Sequence, residues 1–297
     1  WKLLKKEIEI EEISIRNATF DTRDFIDGVV VSGHLGELFL ESHGVVFSPE
    51  TARINEFSVK NTDVSLTLGS IESTDTVPSE PLYWKILLDE IDFENVGFAL
   101  KMPQDSLFVR TMLPKTTLKN GVIDLKEASY YVKSFGIDNA ELAYGPKEEL
   151  VLQQIGLQLD SIYYCGKDIR ANIEEFVLKE RSGLELVSTE GRIVSDSVLI
   201  EIPKFTMKTT ASSLDLQTKI GWDVLEMKKT GVLSAKIKAE IGKSDVAKIL
   251  GGRDTLFLQT YPNKPFVFRA DAEGNLNSLR LRTLEAGLAK AFELKAE

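Results

Sequence analysis

Residues 8–20 of the chain read I-E-I-E-E-I-S-I-R-N-A-T-F. The stretch opens as a two-residue alternation at Ile8 and Ile10, slips by one residue across Glu11 and Glu12, resumes at Ile13 and Ile15, and reaches Asn17 and Phe20. The same phrase, apolar-x-x-apolar-x-apolar-x-Asn-x-x-apolar, recurs at Ile54/Phe57/Val59/Asn61/Val64, at Leu88/Ile91/Phe93/Asn95/Phe98 and at Val132/Phe135/Ile137/Asn139/Leu142. Leu113/Thr116/Leu118/Asn120/Ile123 is a degraded copy. The apolar triplet alone is weak evidence in a chain that is 43% hydrophobic, but the asparagine is not: ten occur in 297 residues, and five of them sit at this one offset.

Alternate residues of a strand face opposite sides, so a one-residue slip moves every later side chain to the wrong face. An extra, bulged residue absorbs the slip, and Asn tolerates the left-handed conformation that such a bend needs. Each copy therefore reads as a strand with a built-in bend. An array of such strands predicts an all-β fold: an elongated, open, curved β-groove, a taco-like trough with one apolar face. The competing reading is that these asparagines cap turns between ordinary sandwich strands.

Roughly one strand recurs every ten residues, the spacing of an all-β meander, and about 16 to 20 strands at ~4.8 Å would make a trough section of roughly 80 to 95 Å. Residues 29–31, 38–40 and 45–47 read as short strands joined by tight turns at Gly33, Gly36 and Gly44. Asn120-Gly121 reads as a hairpin turn, and residues 73–81 as a connection. Later triplets without the Asn lie at Leu152/Ile155/Leu157, Ile173/Phe176/Leu178, Ile202/Phe205/Met207 and Leu276/Leu279/Leu281. Residues 233–241 alternate cleanly. Residues 244–251 break the period, with a Ser244 cap and a closing Gly251, and predict one short helix. Strand is assigned to residues 284–297. The expected organisation is one β-groove segment over residues 1–297 with a sub-boundary near 242–265. Trp1 in place of Met leads to the expectation that it is a piece of a longer chain.

A formal net charge of −10 opposes binding to nucleic acid, which needs clustered Lys and Arg. The single Cys165 excludes an internal disulfide framework. His34 and His43 stand in no metal-ligand spacing. No G-x-S-x-G, P-loop or zinc-hydrolase motif occurs, and in a strand the adjacent carboxylates of Glu11-Glu12, Glu148-Glu149 and Glu174-Glu175 point to opposite faces, where they cannot act as an acid–base pair. No catalytic residue, cofactor or metal is expected, and the chain is read as non-enzymatic.

What remains is the apolar surface. Taking the ~30 methylenes of a phospholipid out of water is worth on the order of 20 kcal/mol, so a lined trough lets acyl chains cross an aqueous space with the headgroup in solvent. The expected lining is Ile13, Ile15, Phe57, Val59, Ile91, Phe93, Phe135, Ile137, Ile155, Leu157, Phe176, Leu178, Phe205 and Met207. A scaffold that offers strand edges to client outer-membrane proteins is the alternative, and a polysaccharide-active solenoid or sandwich a third.

The bent-strand phrase, residues 173–186 (I-E-E-F-V-L-K-E-R-S-G-L-E-L) and the closing F-R-A-D-A-E-G-N-L-N-S-L-R-L resemble the AsmA-like superfamily, in its TamB (translocation and assembly module subunit) branch of Bacteroidetes type. The resemblance covers most of the chain and rests on texture, without an invariant motif. It implies a periplasmic β-groove, anchored in the inner membrane by a region outside this chain and reaching a BamA-like outer-membrane barrel partner through another. Its implied cargo is phospholipid, or outer-membrane proteins during assembly and secretion. It carries over no catalytic residues.

Overall fold

The computed structural model describes residues 11–24, 28–47, 50–69, 83–228, 231–251, 253, 255–288 and 292–296. The chain is all-β, with its sheet strands in sequence order, and it divides into two compact units, Trp1–Ser161 and Ile162–Glu297.

The first unit holds β1 (Glu12–Asp24), β2 (Val29–Phe47), β3 (Glu50–Thr67), β4 (Lys85–Met102), β5 (Leu107–Asp124), β6 (Ser129–Tyr144) and β7 (Leu150–Cys165), the last running past the boundary. From β1 to β6 neighbours pair antiparallel, except that β3 and β4 are parallel. The second unit contains β8 (Asp168–Glu180), β9 (Glu185–Ser195), β10 (Leu199–Thr209), β11 (Ser213–Gly221), β12 (Leu233–Ile241), β13 (Phe266–Gly274), β14 (Leu279–Leu288) and β15 (Phe292–Ala296), all antiparallel to their neighbours. It also carries three short helices, α1 (Trp222–Leu225), α2 (Lys243–Leu250) and α3 (Thr255–Thr260). Neither unit closes its strands into a barrel.

The bends sit where the asparagines predict them. Asn17, Asn61, Asn95, Asn120 and Asn139 all hold left-handed backbone, with φ between 49° and 54°, inside their strands. The bends align across strands: pairing skips Asn17 opposite Gly36, Asn61 opposite Asn95, and Asn95 opposite Pro114. On β5, which runs the other way, the left-handed residue is Asn120, on the opposite side of that strand's apolar pair. Each of these strands thus turns left-handed two residues after its apolar pair, in its own chain direction. On β2 the positive-φ residue is Gly44 (φ 127°), four residues after Leu40, so this strand departs from the common offset.

Gly121 shows that the bend restores the apolar phase. A Cβ built there would lie 3.2 Å from a Leu118 methyl and 3.3 Å from Leu88, its partner on β4. Leu118 and position 121, three residues apart, therefore share a face, because Asn120 supplies the extra residue. The second unit uses bulges instead. Ile202 and Phe205, three apart, oppose Thr218 and Leu216, two apart, with the slip at Pro203, and β14 slips in the same way between Leu281 and Thr283.

Several expectations give way. Fifteen strands occur among the described residues, fewer than 16 to 20, because the bends sit inside long strands and do not end them. The three short strands expected over residues 29–47 are one 19-residue strand, β2. Its glycines do not turn the chain. A Cβ on Gly33 would overlap the Asp63 carbonyl oxygen, and one on Gly36 that of Asn61, so they permit close approach of β3. Asn120-Gly121 lies inside β5, and the turn follows at residues 125–128, where Ala128 takes φ 47°. The meander is broken by the parallel β3–β4 step, which needs a long return connection. The expected connection at residues 73–81 lies outside the described residues.

The helix expected at 244–251 forms as α2 with Gly251 left-handed at its C-cap, but its N-cap is Gly242, and Ser244 lies inside the helix. The helices α1 and α3 were not expected, α1 starting without a side-chain cap. Leu276 falls in the turn before β14, outside any strand, while β14 and β15 agree with the strand assignment at the end of the chain.

Candidate functional site: an apolar face across the strands

Residues directly opposite one another in register project to the same face. In the first unit the register therefore builds two apolar rows across six strands. One is Ile15–Leu38–Val59–Phe93–Thr116–Ile137; the other is Ile13–Leu40–Phe57–Ile91–Leu118–Phe135. Eight of the fourteen expected lining residues fall in these rows. Phe57 and Phe93 meet edge-on between neighbouring strands, with ring centroids 6.2 Å apart.

The second unit repeats the arrangement. Phe205–Leu216–Ile237–Ala270–Leu284 forms one row and Met207–Leu214–Ala239–Phe268–Ala286–Leu294 the next. Past the β10 bulge, Ile202–Thr218–Ala235–Ala272–Leu281 continues the same face. Phe205 and Met207 lie in these rows, and Leu178 stands opposite Leu186. Phe176 is half-buried on β8, as are Ile155 and Leu157 on β7.

Expected residues are thus joined within each unit, while other members had not been singled out: Leu38 and Leu40, Leu118, and the Leu, Ile and Ala positions of β11 to β15. Their signal was present as alternation, clearest over residues 233–241, but several row positions are Ala or Thr and raise no apolar flag.

The interleaved residues make a charged face. Arg16–Glu37–Lys60–Glu94–Lys115–Asp138 alternates in sign across six strands, with ion pairs at 3.4 Å between Arg16 and Glu37 and 3.5 Å between Lys60 and Glu94. In the second unit Asp215–Lys238–Arg269–Glu285–Lys295 is a charged row of both signs, in which Lys238 and Arg269 stand side by side and Arg269 pairs with Glu285 at 2.8 Å. Exposed pairs of this kind contribute ~0.2–1 kcal/mol each; their larger effect is to keep this side in water.

Among the described residues the apolar face of each unit has no covering layer of its own. Among the described residues only Val59, Leu88, Ala140, Ala143, Val224 and Tyr261 are buried apolar side chains, and no large side chain is fully enclosed. A sandwich core would enclose Phe57, Ile91 and Phe93; here they stay half-exposed. Thr116 and Thr189 keep buried hydroxyls without a hydrogen-bond partner, and Thr116 stands within an apolar row. A shallow pocket of about 460 Å³ in the first unit is lined by the neighbouring rows that hold His34, Asp63, Met112 and Glu141 and Ser32, Ser65, Ala99 and Arg110. Arg110 is already paired to Glu148 at 2.7 Å.

No family model matches the chain, and no curated protein does either. Among the described residues no three His, Cys, Asp or Glu side chains gather to hold a metal, and no helix is long and apolar enough to cross a membrane. The extensive feature of each unit is a one-sided apolar surface on hydrogen-bonded strands, and surface of this kind favours contact with other apolar groups without directional bonds.

Proposed function

We propose that the chain is a non-enzymatic section of a hydrophobic β-groove that holds phospholipid acyl chains while the headgroups stay in water. The observation that carries this reading is the pair of apolar rows crossing β1 to β6, on one face and without a covering layer of their own. Rows that cross the strands give an acyl chain a path on which each strand offers similar contacts, so it can advance without a deep binding minimum. Together with the resemblance to the AsmA-like superfamily, this supports carriage of phospholipid across the periplasm between inner and outer membranes, with inner-membrane anchoring and the barrel partner supplied by other regions. Native mass spectrometry of the purified chain tests it. Co-purifying phospholipid is expected, and lipid-free protein from a lipid-replete host, also refusing added lipid, overturns it.

One observation favours a second reading, a scaffold for outer-membrane protein assembly. Among the described residues β1 pairs only with β2, leaving a 13-residue strand without proline at the sheet edge, a template for a client strand. Crosslinking from β1 to a client strand that persists after charges are placed in the apolar rows supports it.

A further inference from the structure

The segment between β12 and β13 is the largest departure from strand in the second unit. It leaves the sheet at Gly242, forms α2 and α3, and returns at Phe266. Its docking is well defined. Asp245 is 2% exposed and receives hydrogen bonds from Ser212 Oγ at 2.6 Å and from Thr209 Oγ1, both in the β10–β11 turn. Tyr261 is buried, donates from its hydroxyl to the Ile241 carbonyl at 3.0 Å, and accepts from Lys243 Nζ at its own carbonyl at 2.8 Å. The insertion is thus held by both ends to the end of the sheet.

The side chains pointing away are the unexpected part. Ile249 is 69% exposed, Leu256 73% and Phe257 45%, the last resting edge-on against Tyr261 at 5.7 Å. Ile249 and Leu256 thus expose most of their apolar surface, while Phe257 is part-packed on Tyr261. Their surroundings are basic: over residues 242–265 Lys243, Lys248, Arg253 and Lys264 outnumber Asp245 and Asp254, a net charge of +2 in a chain of −10. Asp245 is paired with Lys248 at 3.9 Å and Lys243 bonds the Tyr261 carbonyl, so Arg253 and Lys264 are the cations outside these docking contacts. Apolar side chains among cations on short helices fit the boundary of an anionic bilayer, where apolar groups enter the acyl region and Lys and Arg stay with the headgroups.

We infer that the α2–α3 insertion is a membrane-contact device, by which this end of the second unit rests on an anionic lipid surface. The inference rests on the lipid-carrying reading for its purpose but not for its physics, so the two can fail separately. Flotation of the whole chain with vesicles of phosphatidylglycerol and phosphatidylcholine, against phosphatidylcholine alone, tests it. Binding to the anionic vesicles is expected, falling at least about tenfold in Ile249→Ser/Leu256→Ser and weakening with salt. Arg253→Glu/Lys264→Glu, which removes no apolar contact, is expected to lose the anionic preference, and thermal melting checks that both variants stay folded.

No binding to anionic vesicles, or binding indifferent to both variants, overturns the inference, as does an Ile249- and Leu256-dependent dimer in sedimentation, which would make the patch an interface between copies of this chain. Phe93→Lys separates the two readings. It is expected to empty the groove of lipid while leaving vesicle binding unchanged.

Discussion

Asn95 donates a hydrogen bond from Nδ2 to Oδ1 of Asn61 at 3.2 Å, and the two residues hold left-handed backbone, φ 52° and 49°, at matching places on the parallel strands β3 and β4. The backbone conformation is the requirement, and the side-chain contact, exposed to water, adds little. Asn95→Gly is therefore expected to stay within ~0.5 kcal/mol of the parent, while Asn95→Val loses about 1 to 2 kcal/mol through strain. Urea denaturation compares them directly. Equal stability would mean that the left-handed bend is not what the asparagine is for.

That bend was legible in the sequence because few residue types tolerate positive φ, and recurrence at a fixed offset makes the requirement visible. Leu38 and Leu40 escaped because β2 carries Gly36 and Gly44 at its irregular places in place of Asn, and glycine has two meanings. It permits a turn, the meaning first read, and it permits close backbone approach, the one found at Gly33 and Gly36. The parallel step between β3 and β4 leaves no local signal, since direction depends on a connection and not on the strands. The helices α1 and α3 span four and six residues, too short for a 3.6-residue period to show. The site was half legible: its rows carry mostly large apolar residues across β1 to β6, and many Ala and Thr positions across β11 to β15, which raise no apolar flag in the sequence.

On the charged face one row breaks the alternation. Glu12, Glu41, Glu56 and Glu90 stand opposite one another across four strands, and only Lys119, 2.7 Å from Glu90, relieves them. Like charges directly opposite are destabilising by a few tenths of a kcal/mol per pair. Glu56→Lys turns two repulsive neighbours into attractive ones, so a gain of about 0.5 to 1 kcal/mol is expected at low salt, shrinking as ionic strength rises. Melting curves at two salt concentrations measure both parts.

Acid should loosen the helical insertion. Burial pushes the Asp245 carboxyl upward, but hydrogen bonds from Ser212 and Thr209 and the nearby Lys248 charge outweigh it and hold its pKa below the ordinary value. A carboxyl with a depressed folded pKa contributes stability that is fully present above its unfolded pKa, near 3.9, and is lost as pH falls through the folded value. The protection factors of the α2 amides, the intrinsic exchange rate at each pH divided by the observed rate, are therefore expected to be constant from neutral pH to about pH 5 and to fall below about 4. Asp245→Asn, which keeps one acceptor but loses the charge, should exchange faster at neutral pH and lose the acid dependence.

The sharpest separation of the two faces comes from neighbours in sequence. Phe93 lies in an apolar row between Val59 and Thr116, and Asp92 on the charged side between Ser58 and Thr117. A lysine at either place has the same size and charge, and differs only in the face it occupies. Phe93→Lys puts an ammonium into the proposed acyl path, where hydrocarbon cannot solvate it, so co-purifying phospholipid is expected to fall to near zero, with a stability cost of about 2 kcal/mol from the lost contact with Phe57 and its row. Asp92→Lys is expected to keep its lipid and to change stability by less than about 0.5 kcal/mol. Native mass spectra of the two variants, with melting curves to show both folded, measure the difference. Lipid lost equally from both, or retained by Phe93→Lys, would mean that hydrocarbon does not travel along the rows through Phe93.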